Sequence, residues 1–197
     1  MDPQLLIAFA TFAFVSSITP GPNNLMLMAS GANFGLRRTI PHMLGIGIGF
    51  TVMIVLVGIG LMGLFDAVPA SYTILRIVSV AYLLWLAWKI ANAAAPGTRG
   101  RASGRPLTFL QAAAFQWVNP KAWTMALTAI TVYAPDRSLG AIGLVALVFG
   151  LINLPTVSTW TLIGQQMQKF LTDERRLQIF NWTMAALLVA SLWPVLA

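Results

Sequence analysis

Thr19-Pro20-Gly21-Pro22-Asn23-Asn24 interrupts an apolar run that extends from residue 4 to about residue 35. A second interruption, Asn119-Pro120-Lys121, lies within the run 107–133. Proline removes a backbone N–H and clashes with the preceding turn, so each motif ends one helical segment and opens another. Threonine and asparagine favour the capping position of a helix, and proline favours its first turn. Thr19-Pro20 and Asn119-Pro120 therefore both read as starts of half-helices. Gly21 permits close backbone approach or an unusual dihedral.

Composition puts these breaks in a membrane. Hydrophobic residues make up 58% of the 197 and charged residues 9%, against roughly 25% charged in a soluble domain. Such a chain cannot cover a soluble surface; it reads as an all-α integral membrane protein with the lipid bilayer as its surroundings. The net charge of +7 comes from twelve basic residues scattered between apolar runs, and they form no nucleic-acid-binding stripe. With no cysteine, one histidine and no carboxylate inside an apolar run, neither an enzyme nor a resident metal or cofactor is expected. Met1-Asp2-Pro3 lacks the positive lead of a signal peptide and reads as the start of the first span.

A span needs roughly 20 apolar residues. The stretches 4–35, 40–65, 71–92, 107–133, 139–166 and 178–196 qualify, which gives six transmembrane helices in a single domain, 1–197. Nine of the twelve basic residues fall on one side: Arg37, Arg38, Lys89, Arg99, Arg101, Arg105, Lys169, Arg175 and Arg176. Positive charge stays in the cytoplasm, so both termini are expected outside. A linker, 93–106, divides the chain into repeat one, 1–92, and repeat two, 107–197. With three spans each, the halves have opposite topology, and Pro20 and Pro120 lie 100 positions apart. The expectation is an inverted 3+3 repeat whose first and fourth helices are broken at mid-membrane.

Half-helix starts present free N–H groups and a positive dipole end, a ready site for a carboxylate. Thr19, Pro20, Gly21, Pro22, Asn23, Asn24, Asn119, Pro120 and Lys121 are the substrate-binding candidates, with Asn153 as a further mid-span polar group. Lys121 lies about 20 Å from either end of its run, too deep to snorkel. Asp2, Asp66, Asp136, Asp173 and Glu174 all fall at ends or turns. The substrate's own carboxylate is thus the expected partner of Lys121, with bonding to carbonyls and asparagine side chains as the alternative. Without an intramembrane carboxylate, small neutral amino acids suit the site better than basic ones. A substrate ammonium has candidate acceptors in the carbonyls of Ser16 to Thr19, in Asn23 or Asn153, and in the faces of Trp117 or Trp123. Gln116 reads as structural, Gly45 and Gly49 as a close-packing pair, and His42 as a polar residue at the end of its span.

The first motif, Gly31 to Arg38 with its Gly35-Leu36-Arg37-Arg38 end, Ala81-Tyr82-Leu83-Leu84-Trp85-Leu86-Ala87-Trp88-Lys89 and Asn119-Pro120-Lys121 together resemble the LysE/RhtB family of amino-acid exporters. The likeness covers essentially the whole chain and is greatest to the cysteine/O-acetylserine efflux branch. The resemblance implies a bacterial inner (cytoplasmic) membrane protein that exports small amino acids or derivatives, driven by the proton gradient. Lys121 is then the candidate for the charge that changes in the cycle, with His42 and Asp66 behind it. Export of homoserine, threonine or basic amino acids, or a non-transporting role as a membrane partner protein, are the competing readings. Partners are an amino-acid substrate, the bilayer and, as an open assembly state, a second copy in a homodimer.

Overall fold

The computed structural model describes residues 1–93 and 105–193. Arg99, Arg101 and most of the linker 93–106 lie outside the described residues, as does the end of the run 178–196. Every regular element among the described residues is helical. The first half comprises α1 (Pro3–Ile18), α2 (Pro22–Phe34), α3 (Leu36–Gly58), α4 (Leu61–Ala67) and α5 (Ala70–Ala91). The second comprises α6 (Phe109–Phe115), a 3₁₀ turn (Gln116–Val118), α7 (Pro120–Tyr133), α8 (Leu139–Met167) and α9 (Glu174–Ala190).

Helices α3, α5 and α8 are each long and apolar enough to cross a membrane. α1 and α2 qualify together as a pair bent by 53°. The fourth and sixth apolar runs take another form. α6 has 7 residues and α7 has 14, separated by the 3₁₀ turn and an extended Asn119, while α9 has 17 residues and opens with Glu174-Arg175-Arg176. Each is shorter than the roughly 20 residues of a straight span.

Small residues set how closely these helices approach. Gly31 of α2 faces the Thr161 carbonyl of α8, and Gly164 of α8 faces the Met28 carbonyl of α2. A Cβ at either position would overlap backbone. Gly45 and Gly49 seat α3 on α6 in the same manner; a Cβ at Gly49 would lie 2.6 Å from Ala113 Cα. Lipid tails are as apolar as side chains, so this close packing is what drives helices together in a bilayer. Phe50 and Phe149 meet edge to face at 4.9 Å, and Phe9 reaches Phe149 at 5.9 Å. That buried cluster ties α1, α3 and α8 together beside the break in the first run. The corner from α2 to α3 turns at Gly35, whose φ of +76° suits glycine. Gln165 of α8 accepts from the Leu36 N–H there at 2.6 Å.

Candidate functional site

Two prolines with one residue between them, Pro20 and Pro22, shape the first break. The residue before a proline is driven out of the helical region, so Thr19 (ψ 143°) and Gly21 (φ −179°, ψ 176°) are both extended. This shifts the start expected at Thr19-Pro20: Thr19 ends α1, and α2 begins with Gly21 as its cap and Pro22 in its first turn. At the second break Asn119 caps α7, accepting from the Lys121 N–H at 3.2 Å, and Pro120 holds the first helical position.

The break deprives the last carbonyls of α1 of their usual donors, because Pro20 and Pro22 have no N–H to give to Ser16 and Ile18. Side chains replace them one by one. The Thr19 hydroxyl donates to Ser16 O at 3.0 Å, and Trp160 Nε1 donates to Ile18 O at 3.1 Å. Asn24 Nδ2 donates to Ser17 O at 2.7 Å and to Thr19 O at 2.8 Å. Lys121 supplies the rest: its Nζ donates to Thr19 O at 2.7 Å, Thr19 Oγ1 at 2.9 Å and Pro20 O at 3.3 Å. The ammonium thus sits at the negative end of the α1 dipole, with three oxygen partners and no charged one. The carbonyl-bonded alternative for Lys121 is the arrangement present here. Gly21 makes it fit, since a Cβ there would stand 2.7 Å from Lys121 Cδ.

A cavity of about 20 Å³ opens beside the ammonium, bordered by Ser16, Ser17, Gly21, Asn23, Asn24, Asn119, Lys121 and Asn153, with Phe50 and Met125 on its apolar side. It has room for about one water molecule. Of the acceptors anticipated for a substrate ammonium, the Ser16–Thr19 carbonyls are taken. Asn23 is paired with the buried Gln116, donating to its Oε1 at 2.8 Å and accepting from its Nε2 at 3.2 Å. Trp117 and Trp123 pack against each other at 6.0 Å, outside the lining. Asn153 remains. It is 4% exposed, its Nδ2 donates to Ser17 Oγ at 3.2 Å, and its Oδ1 has no partner.

Thr19, Pro20, Gly21, Asn23, Asn24, Asn119, Lys121 and Asn153 therefore come together, while the rings of Pro22 and Pro120 shape helix starts and do not line the cavity. The other two candidates stand apart. Asp66 is exposed and accepts from the Tyr72 hydroxyl at 2.6 Å. His42 is 2% exposed and belongs to a different cavity, where α2 and α5 cover it; it is no polar anchor at a span end. The Ser17 hydroxyl, which accepts from Asn153, and Trp160, which donates to the Ile18 carbonyl, went unanticipated, since a serine and a tryptophan inside apolar helices carry no sequence signal of such partners. Among the described residues no group of three or more His, Asp or Glu could hold a metal ion.

A family model described as LysE type translocator matches residues 14–191. A cysteine/O-acetylserine efflux protein of Klebsiella pneumoniae subsp. pneumoniae is 31% identical over 192 residues, 96% of this chain and 95% of the relative. The protein of that name from Escherichia coli strain K12 is 31% identical over 193 residues, 96% of each chain. That from Salmonella typhimurium is 32% identical over 171 residues, 86% of this chain and 87% of the relative. No solved structure matches this chain.

Proposed function

This chain belongs to the LysE type translocator family, and from that premise we propose that it exports small neutral amino acids or their derivatives, of the cysteine and O-acetylserine kind. A member of this family is a multi-pass membrane transporter and not an enzyme. The observation that carries the substrate reading is that Lys121 and Asn153, whose buried Oδ1 has no partner, border one cavity with no acidic residue in its lining. A zwitterion matches that pair. Its carboxylate takes the place of the Thr19 and Pro20 oxygens on Lys121, and its ammonium donates to Asn153. The start of α2 adds a positive dipole end without a side-chain cap. A basic amino acid would bring a second positive charge with no carboxylate to balance it.

The cavity is too small for an amino acid, so loading requires the bend between α1 and α2 to open. Opening exchanges the bonds of Lys121 to the break for bonds to substrate. Lys121 is also where a proton gradient enters the cycle: the cost of burying its charge depends on whether a carboxylate lies against it. The inverted 3+3 repeat in a bacterial inner membrane, with both termini outside, belongs to the same proposal. Equivalent elements pair across it, α3 with α8 and α5 with α9, and α1 against α8 is matched by α6 against α3.

Reconstitution in liposomes tests the reading. Wild-type protein is expected to move O-acetylserine under an imposed proton gradient, and Lys121→Met to insert normally and move none. Substantial transport by Lys121→Met would overturn the assignment of the site.

A further inference from the structure

His42 is the one histidine of the chain. It is buried in α3, and neither of its ring nitrogens has a hydrogen-bond partner. Its polar neighbours are satisfied. Ser30 pairs with Thr39 at 2.9 Å, and Asn33 donates to Asn181 Oδ1 at 2.7 Å and to Ala29 O at 2.8 Å. His42 is one of the residues bordering a cavity of about 250 Å³ between α2, α3, α5 and the segment Arg105–Leu107. The titratable residues of that lining are His42, Lys89 and Arg105, all basic types. Its volume falls just below the roughly 300–1,000 Å³ of sites for drug-sized ligands, a size for a small molecule.

We propose that this cavity is a second binding site for a small zwitterionic amino acid, an inner waiting site on the export path. The inference rests on the export reading above. A neutral imidazole offers one N–H donor and one lone pair, so its complement must both accept and donate. The carboxylate and ammonium of an amino acid do so together, and the Lys89 and Arg105 side favours the carboxylate. α2 borders both cavities, with Asn24 at the midplane site and Ser30 at this one. Six residues of helix separate them by about 9 Å. The two linings thus lie within two helical turns of each other along α2, this one on the side where the basic connections lie.

A single histidine makes the test direct. Full-length protein carrying a tag without histidine and labelled with ¹⁵N-histidine shows the nitrogens of one imidazole. Titration with O-acetylserine is expected to shift them saturably, whereas the methyl ester of serine, which lacks the carboxylate, leaves them in place. In Lys121→Met the shift persists, with half-saturation within about threefold of wild type, as for separate sites with no shared partner. Ala29→Leu, which fills the cavity, keeps a folded imidazole signal and loses the shift. An imidazole that does not move in a protein that transports O-acetylserine overturns the inner site and leaves the export reading standing. So does a shift that vanishes in Lys121→Met or survives in Ala29→Leu. Failure of the export reading shows differently, as absence of O-acetylserine transport by the wild type.

Discussion

Gly21 follows Pro20 as Lys121 follows Pro120, and the two residues touch: a Cβ on Gly21 would lie 2.7 Å from Lys121 Cδ and 3.2 Å from its Nζ. The glycine is required for space. Its backbone is fully extended, a conformation open to any residue. Gly21→Ala therefore leaves the fold intact, because the atoms it meets belong to a flexible side chain, but it moves the ammonium off Thr19 and Pro20. A displacement of that order at a positioned group costs up to about 100-fold in rate. Initial efflux rates in liposomes, with thermal unfolding as the control, are expected to show a 10- to 100-fold loss of transport at nearly unchanged stability.

Charge selection follows from Asn153. Its buried Oδ1 is an acceptor left without a partner in the cavity lining that includes Lys121. Asn153→Leu removes that acceptor while keeping the volume, and O-acetylserine transport is expected to fall by about tenfold or more through KM. Asn153→Asp puts a carboxylate in the cavity, where it neutralises Lys121 in place of a substrate carboxylate. Neutral substrates then lose, and lysine or arginine competes for transport where it did not in the wild type. Competition assays with both classes read the change directly.

How far these relationships were legible depended on their range along the chain. The chemistry of a single dipeptide sufficed at Asn119-Pro120, where cap and first helical residue are adjacent. At the first break two prolines compete, and the extended conformations that both impose move the helix start to Pro22. The oxygens that hold Lys121 belong to a helix end about 100 residues away, which no local pattern discloses. The apolar run 107–133 has the length of a span but contains a 3₁₀ turn. His42 looked peripheral because span ends look peripheral in sequence; the return of α2 across α8, set by Gly31 and Gly164, helps enclose it.

Trp160 separates stability from transport. Its Nε1 serves the Ile18 carbonyl, outside the cavity lining. Trp160→Phe orphans that carbonyl at a helix end and is expected to destabilise the protein by about 0.5–2 kcal/mol. The substrate-facing groups keep their places, so efflux per folded molecule stays within about twofold of wild type. Thermal unfolding in detergent and transport normalised to folded protein measure the two effects independently.

α8 supplies a paired test of what holds the bundle. At Gly143 nothing lies within 4 Å of an added Cβ, and at Gly164 the Met28 carbonyl stands in its way. Gly143→Ala is expected to be neutral or to stabilise by up to about 1 kcal/mol through helix propensity. Gly164→Ala forces α2 and α8 apart and costs about 1–3 kcal/mol or more. Because α2 begins at the cavity, that separation also drags Asn23 and Asn24 away from Gln116 and the end of α1, so transport falls with stability. The same methyl group, added twice to one helix, thus acts with opposite sign, and unfolding temperatures of the two variants on either side of wild type are the outcome that checks it.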